Sequence, residues 1–198
     1  MARAICPQAG LTGMIDLNPS RCALKRIGGV DRTIYIGSLS ELAGFTRNAD
    51  GEIVTLTMKT SMYLYALSGK KLKNSHSTEI RQNENATLFG QTVNFVAYFD
   101  TQPEKDAIEL LIQSDDLFVI LQNKYGRFEA FGLVGQEGMP AEGMGISAGT
   151  YAVEASADGA TSMLLTFTSD ESKLPVYTNF GDEVIDEIAY LDDLLLVI

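Results

Sequence analysis

Few side chains in this sequence could do chemistry, and the first to weigh is the single histidine. His76 lies in the polar run Asn-Ser-His-Ser, where we predict a loop. A catalytic histidine needs a nucleophile or an orienting carboxylate nearby, and no local spacing supplies either. We therefore interpret His76 as an exposed loop residue.

Two glycine-containing segments resemble phosphate-binding loops only in part. In Gly143-Met-Gly-Ile-Ser-Ala-Gly149 the last interval is one residue too long for GxGxxG, and no helix is predicted after it. Leu67-Ser-Gly-Lys-Lys71 lacks the earlier glycine and the Ser or Thr of a P-loop. Both segments are predicted to be flexible loops.

Paired carboxylates and cysteines also lack the spacing of a metal site. Asp115-Asp116, Asp182-Glu183 and Asp192-Asp193 do not alternate as calcium ligands do, so we interpret them as solvated charge or charge that faces an assembly partner. Cys6 and Cys22 have no CxxC or histidine partner, and a cytosolic setting favours free thiols over a disulfide. We predict no catalytic residue, cofactor or metal, and no enzyme.

Charge is distributed unevenly along the chain, whose net charge is −11. Residues 1–81 hold 11 Lys/Arg and 6 Asp/Glu, whereas residues 82–198 hold 4 Lys/Arg and 20 Asp/Glu. For a monomer, this pattern would merely solvate two faces; for subunits that stack head to tail, opposite charges would orient association. The acidic balance argues against a specific DNA reader, which normally has a basic face.

The 198 residues suffice for one domain with a hydrophobic core. No apolar stretch approaches the roughly 18 residues of a membrane span, so none is predicted. The apolar run at the start of the chain is too short for a secretory signal, and we expect synthesis in the cytosol.

Short apolar runs bounded by turn residues predict a mainly β protein. Thr101–Ser114 is the one predicted helix, because Thr101 and Glu104 have the capping-box spacing. Ser38–Ala43 is expected to form one helical turn. The predicted strands are Val30–Gly37, Glu52–Tyr65, Ser77–Asn83, Thr87–Asp100, a hairpin within Asp116–Gly132, and Ser162–Thr168.

One predicted strand has two rather apolar faces. In Thr87–Asp100 the residues Val93, Phe95, Ala97 and Phe99 alternate with less apolar neighbours that include Val96 and Tyr98. A solvated face should be more polar than this second one. We therefore expect burial of both faces, either within the domain or against a neighbouring subunit.

Four regions can be matched as an ordered pattern. Cys22–Gly37 carries a Gly-Gly turn into the first strand, and Ser77–Phe95 is followed by the helix. Leu117–Gly132 is a hairpin with a glycine turn, and Asp158–Thr168 contains the last strong strand, Ser162–Thr168. Over about residues 20–178 this order resembles the tail-tube and tail-tube-like virion proteins of phages and prophages from Bacteroides-type hosts.

The resemblance implies a β-sandwich or half-barrel with one flanking α-helix. Copies of the chain would form hexameric rings with a shared inner β-barrel, stacked into a tube with an acidic lumen for DNA passage. Residues 1–22 would be an N-terminal extension, 23–178 the tail-tube-like β domain, and 179–198 an acidic, Leu-rich arm. The arm's apolar end is either core of its own domain or a strand added to a neighbour's sheet.

The implied partners are other copies of the chain, other tail proteins, and DNA that passes without specific binding, with the protein located in the virion tail. No cofactor is expected. Tail terminator, head–tail adaptor and baseplate roles stay open, as does a soluble β-sandwich that binds a carbohydrate or host ligand. The candidate inter-subunit contacts are Lys70, Lys71, Lys73, Val93, Phe95, Phe99, Leu194, Leu195, Leu196, Val197 and Ile198.

The basic segment Lys70–Lys73 yields a first prediction. Reversing its three lysines to glutamate should block polymerisation, because the segment is a candidate ring-to-ring contact with acidic residues of the next ring. Size-exclusion chromatography and negative-stain microscopy measure the outcome. Normal tubes from this variant would contradict the prediction.

Overall fold

The computed structural model describes residues 30–69, 74–82, 87–98, 101–123, 126–135, 141–153, 161–181 and 184–195. These residues form a mainly β protein with antiparallel sheets and two short helices. Their strands form no closed barrel. The extension expected at 1–22 lies outside the described residues, and neither described helix is long and apolar enough to cross a membrane.

Eleven strands and two helices make up the described fold. A 3₁₀ turn at Leu39–Glu41 confirms the helical turn predicted there. In chain order the elements are β1 (Val30–Ser38), β2 (Leu42–Arg47), β3 (Ile53–Met58), β4 (Tyr65–Ser68), β5 (Ser75–Gln82), β6 (Thr87–Tyr98), α1 (Gln102–Ile112), β7 (Leu117–Asn123), β8 (Phe128–Phe131), β9 (Gly145–Val153), β10 (Thr161–Glu171), β11 (Val176–Tyr177) and α2 (Val184–Asp193).

The strands form three sheets. A five-stranded sheet has the order β11-β8-β7-β1-β4, a four-stranded sheet has the order β5-β6-β10-β9, and β2 pairs with β3 as a hairpin. The longest register runs along β6 and β10, from Ser162 opposite Tyr98 to Glu171 opposite Phe89. The prediction of a mainly β fold is thereby confirmed.

The five-stranded sheet lies between two hydrophobic cores. One of its faces packs on the four-stranded sheet in a first core that includes Val119, Phe95 and Phe167. Its other face packs on the β2–β3 hairpin and α2 in a second core that includes Ile120 and Leu191. Successive strand residues point to opposite faces, so the apolar run Leu117–Leu121 is buried along its whole length.

Burial of both faces was expected for β6 but is complete for β7. On β6 the residues Val93 and Phe95 are buried, whereas Thr92, Asn94 and Val96 on the other face are only half-buried. The second face of β6 has no covering layer among the described residues. Burial against a neighbouring subunit therefore stays a prediction.

Helix α1 matches the helix predicted at Thr101–Ser114. Glu104 Oε2 accepts hydrogen bonds from both the backbone N–H and the hydroxyl of Thr101, each at 2.9 Å. Ile108 is the residue of α1 that is buried, and Leu110 is 69% exposed. The helix thus contacts the first core through a narrow stripe.

The predicted strand Glu52–Tyr65 is wrong, because the chain turns within it. The Lys59 N–H donates to Glu41 O at the end of the β2–β3 hairpin, and the Met62 N–H donates to Lys59 O, each at 2.9 Å. Ser61 has a φ of 63°, in the left-handed region that interrupts a strand. β3 therefore belongs to the hairpin, while β4 pairs with β1.

The flexible loop predicted at Gly143–Gly149 is also wrong, since β9 begins at Gly145. Its small residues suit a strand that lies close to large side chains of β10. A Cβ at Gly149 would lie 2.9 Å from Met163 Cε, so glycine makes room for the methionine. Gly143, with φ of +81°, turns the chain into the strand.

Helix α2 lies where the sequence predicted no helix, giving two helices instead of one. Leu191 is fully buried in the second core, and the Tyr190 hydroxyl donates to Leu56 O at 2.9 Å. The Tyr35 hydroxyl donates to Asp192 Oδ1 at 2.9 Å. Residues 184–195 thus pack on their own chain, whereas the domain boundary at 178/179 stays a prediction.

The two-core arrangement predicts that neighbouring residues of β7 are equally sensitive to truncation. Ile120→Ala and Leu121→Ala should each lower the free energy of unfolding by about 2–5 kcal/mol, because both side chains are fully buried on opposite faces. Urea denaturation measures both variants. Ile80→Ala, at a position 72% exposed, is the control. A near-neutral Ile120→Ala would contradict the second core.

Candidate functional site

The four-stranded sheet is the candidate functional site because it is open in two respects. In the part of the chain that the structure describes, β5 and β9 each pair with a strand on one side only. The sheet face that turns away from the first core has no described layer over it. Open edges and an uncovered face are what an assembling β protein presents to its partners.

Hydrogen-bond alternation identifies the backbone groups at the open edge of β5. The Val96 N–H donates to Asn74 Oδ1 at 3.1 Å, so even-numbered residues of β6 point toward β5. Their partners Ser77 and Glu79 therefore bond to β6. His76, Thr78, Ile80 and Gln82 alternate with these residues, so their N–H and C=O groups point to the open edge.

The same alternation continues across the sheet to β9. Odd-numbered residues of β6 point to β10, so Leu164 and Ser162 point to β9 and bond Thr150 and Ala152. The backbone groups of Gly149 and Tyr151 then point to the open edge. β9 contains no Pro and no charged residue, the usual devices that protect an edge strand from pairing.

The uncovered face of the sheet is rich in hydroxyl and amide groups. Ser77, Thr92, Asn94, Thr166 and Thr168 occupy its middle, and all are exposed or half-buried. The Thr166 hydroxyl donates to Asn94 Oδ1 at 2.9 Å across the two central strands. This face is polar without being strongly charged.

Charges on this face concentrate at one end of the sheet. Arg81 of β5 donates from Nη1 to both carboxylate oxygens of Asp170 on β10, at 2.7 and 2.9 Å, and it lies 3.8 Å from Glu79. To reach Asp170 the guanidinium crosses β6 above Gly90. A Cβ at Gly90 would lie 2.9 Å from Arg81 Nε, so glycine leaves room for the arginine in this position.

The predicted contact residues are divided between buried and undescribed positions. Val93 and Phe95 are 1% and 0% exposed inside the first core, so their side chains already have partners within the chain. Leu194 and Leu195 are half-buried against the second core. The inter-subunit roles of these residues stay predictions. Lys70, Lys71, Lys73, Phe99, Leu196, Val197 and Ile198 lie outside the described residues.

His76 lies in strand β5 and is half-buried, so the prediction of an exposed loop residue is wrong. Its ring meets Phe131 edge-on, with centroids 5.1 Å apart. Among the described residues no group of three or more His, Cys, Asp or Glu side chains is placed to hold a metal ion.

Glu52 anchors a polar cluster beside the β2–β3 turn. Its carboxylate accepts hydrogen bonds from Arg127 Nη2 at 2.6 Å, Asn179 Nδ2 at 3.0 Å and Asn48 Nδ2 at 3.2 Å. The Arg127 guanidinium lies 3.8 Å from the centre of the Tyr177 ring. These contacts join the β2–β3 turn to β8 and β11, and they leave the carboxylate committed to holding the fold.

Asp116 holds the connection between β1 and β2. Asp116 Oδ2 accepts from the Ser38 hydroxyl at 2.7 Å and from the Ser40 N–H at 3.0 Å. Burial alone would raise the pKa of Asp116, but these hydrogen bonds outweigh burial and hold the pKa below its ordinary value. The sequence suggested solvated or partner-facing charge at Asp115-Asp116, yet Asp116 caps the 3₁₀ turn.

Glu171 secures the segment that enters β9. It is 1% exposed and accepts from the Gly143 N–H at 3.1 Å and the Glu142 N–H at 3.4 Å. Burial raises the pKa of Glu171, and the nearby Glu142 carboxylate adds to the rise, while the two N–H groups oppose it. A buried acid thus fixes the start of an edge strand.

No protein-family model, curated protein or solved structure matches this chain.

Glu171 should make stability fall as the pH rises. Because its pKa is higher in the folded than in the unfolded chain, the folded state holds the proton more tightly. That stabilisation is complete below the ordinary glutamate pKa and is lost as the pH rises through the raised value. In urea denaturation, the midpoint of Glu171→Gln relative to that of the parent protein should therefore rise from acid to neutral pH.

Asp116→Asn should change the pH dependence of stability in the direction opposite to Glu171→Gln. The lowered pKa of Asp116 contributes stability above the ordinary aspartate pKa that is lost on acidification, so this variant should gain on the parent protein as the pH falls. If stability depended on pH in the same way in both variants, the opposite pKa shifts of Asp116 and Glu171 would be contradicted.

Proposed function

We propose that this protein is a structural subunit of a phage virion that assembles into hexameric rings, which stack as a tail tube for DNA passage. The observation that carries the proposal is the four-stranded antiparallel sheet, whose edge strands β5 and β9 each pair on one side only within the part of the chain that the structure describes. No charge or Pro blocks the β9 edge. Such an edge is an aggregation hazard unless another strand covers it.

The strand directions suit closure into a ring. Strands alternate in direction across the order β5-β6-β10-β9, so β5 and β9 run in opposite directions. A second copy, rotated about a ring axis, would place its β9 antiparallel to β5 of the first. Repetition of this head-to-tail contact closes a barrel and leaves no edge.

The size of the resulting barrel is consistent with a wide channel. Six copies of a four-stranded sheet would supply roughly 24 strands, more than the 16–18 strands that already leave an aqueous channel. The first core would lie outside the barrel wall, with the five-stranded sheet as a second layer. Each subunit would keep its own core and share only its edges.

The uncovered face would line the lumen in this arrangement. Its middle carries Ser, Thr and Asn side chains, and Arg81 is its one cation among the described residues. That cation is engaged by Asp170. DNA binding needs cations that replace phosphate counterions, so DNA would slide along this face without adhering. The lumen wall is thus more nearly neutral than the acidic one expected from the sequence.

The alternative is a soluble binding module, and one observation favours it. An open cleft of about 400 Å³ lies between the β2–β3 turn and the segment before β11. Leu174 and Tyr177 line it and are 56% and 40% exposed. A monomer whose stability rises with a ligand in this cleft would support the alternative over a ring.

The proposal is tested at a residue whose N–H points to the open edge. Ile80→Pro removes that N–H without removing a bond between β5 and β6, and Ile80 is 72% exposed. We expect a folded protein that forms no rings or tubes, measured by circular dichroism, size-exclusion chromatography and negative-stain microscopy.

Two control variants distinguish loss of the edge N–H from damage to the fold of the subunit. Ile80→Thr keeps the N–H and should still assemble. Glu79→Pro removes a bond within the sheet and should unfold or weaken the subunit itself. Rings of normal yield from Ile80→Pro, or a parent protein that stays monomeric at high concentration, would overturn the proposal.

A further inference from the structure

Helix α1 lies along the edge strand β9, on the side of the first core. Its Lys105 Nζ lies 3.4 Å from the Tyr151 hydroxyl and 5.4 Å from the centre of the Tyr151 ring. Tyr151 is opposite Met163, which packs against the first core, so both side chains lie on the core side of the sheet. After the helix, Leu117 pairs with Met144, just before β9 begins. α1 and β9 therefore run in opposite directions beside each other.

The outward face of α1 carries an exposed leucine. Ile108 is buried in the first core, whereas Leu110, two residues further along the helix, points in nearly the opposite direction and is 69% exposed. Asp106 is also exposed and lies one turn before Leu110, on the same face. An apolar and an acidic side chain thus point together away from the molecule's own core.

The open cleft near β11 has walls that complement this helix face. Phe89, Leu174 and Tyr177 line the cleft, and the last two are 56% and 40% exposed. Phe89 is opposite Ile80, so the cleft lies beside the end of β5. Lys173 also lines the cleft, and it makes no ion pair with a described residue. Exposed apolar groups beside a charge are typical of a surface that binds a partner.

We propose that α1 of one copy docks in this cleft of the next copy. Leu110 packs on Leu174 and Tyr177, and Asp106 faces Lys173. The inference rests on the proposed ring, because it requires β9 of one copy beside β5 of the next. It adds a helix contact to the shared strand edges.

A shared sheet would place the helix and the cleft on the same side of the barrel wall. α1 lies on the core side of its own sheet, as its contact with Tyr151 shows. Phe89 is an odd-numbered residue of β6, and it therefore points to the same side as Val93 and Phe95 of the first core. Both surfaces would thus lie outside the barrel, next to the junction.

Strand direction would bring the two surfaces to the same end of that junction. In an antiparallel pair, the start of β9 lies beside the end of β5, where Ile80 and the cleft are. Leu110 belongs to the last turn of α1, and this end of the helix is the one near the start of β9. Leu110 and the cleft therefore approach each other when the strands pair.

Charge supports an acidic helix as the occupant of the cleft. Lys173 lies on the segment before β11, whereas the acids Asp50 and Glu52 lie on the β2–β3 turn, which forms the other wall. Glu52 is already engaged by Arg127. Asp106 would approach the wall that carries the cation. An ion pair at the rim of an interface orients docking more than it strengthens binding.

Disulfide trapping between copies tests the contact directly. In a chain with Cys6→Ser and Cys22→Ser, Leu110→Cys with Leu174→Cys should link neighbouring copies under mild oxidation, because side chains in contact are within disulfide reach. Leu164→Cys with Leu174→Cys is the matched control, since Leu164 is 39% exposed on the uncovered face of the sheet. We expect cross-linking at least about tenfold slower in the control.

Removal of the leucine tests the same contact without cysteines. Leu110→Ser should raise the protein concentration needed for assembly at least about tenfold, whereas Leu164→Ser should leave it unchanged. Lys173→Glu should also weaken assembly, and Asp106→Lys in the same chain should restore it. Size-exclusion chromatography over a range of concentrations measures assembly, and circular dichroism checks that each variant is folded.

The outcomes distinguish the helix contact from the ring itself. Unchanged assembly of Leu110→Ser would overturn the helix contact and leave a ring held by strand edges. Cross-linking of Leu110→Cys with Leu174→Cys at the control rate would do the same. A parent protein that stays monomeric at high concentration would overturn the ring and, with it, this contact.

Discussion

Burial of the five-stranded sheet on both faces is the constraint on which the rest of the structure depends. Adjacent residues of β7 supply two separate cores, so this sheet has no face left for a partner. The layer on one side is the hairpin with α2, and the layer on the other is the four-stranded sheet. Among the described residues, the four-stranded sheet keeps one face without a covering layer, and the middle of that face carries Ser, Thr and Asn side chains.

Hydrogen bonds of three carboxylates hold the segments that connect the layers. Glu52, Asp116 and Glu171 each hold a turn or strand entry through hydrogen bonds to neighbouring segments. None of the three lies in the middle of the uncovered face. These carboxylates therefore stabilise the packing of the layers. The middle of the four-stranded sheet's uncovered face carries no charged side chain among the described residues.

Local signals in the sequence were sufficient for some elements. Thr101 and Glu104 identified α1, and the β-rich runs identified β1, β6 and β7. Gly145–Val153 was missed because small residues resemble a loop until Met163 is known to lie beside them. The spacing of Ile188 and Leu191 is the signal that could have revealed α2. Which strands lie at the edges follows from long-range pairing, which no local pattern encodes.

Gly90 leaves room for an ion pair that crosses the four-stranded sheet. With no side chain there, Arg81 lies across β6 and meets both oxygens of Asp170. A larger residue would force the Arg81 side chain to shift from this position. The absence of one side chain thus lets charges on β5 and β10, two strands that do not pair with each other, neutralise one another across the strand between them.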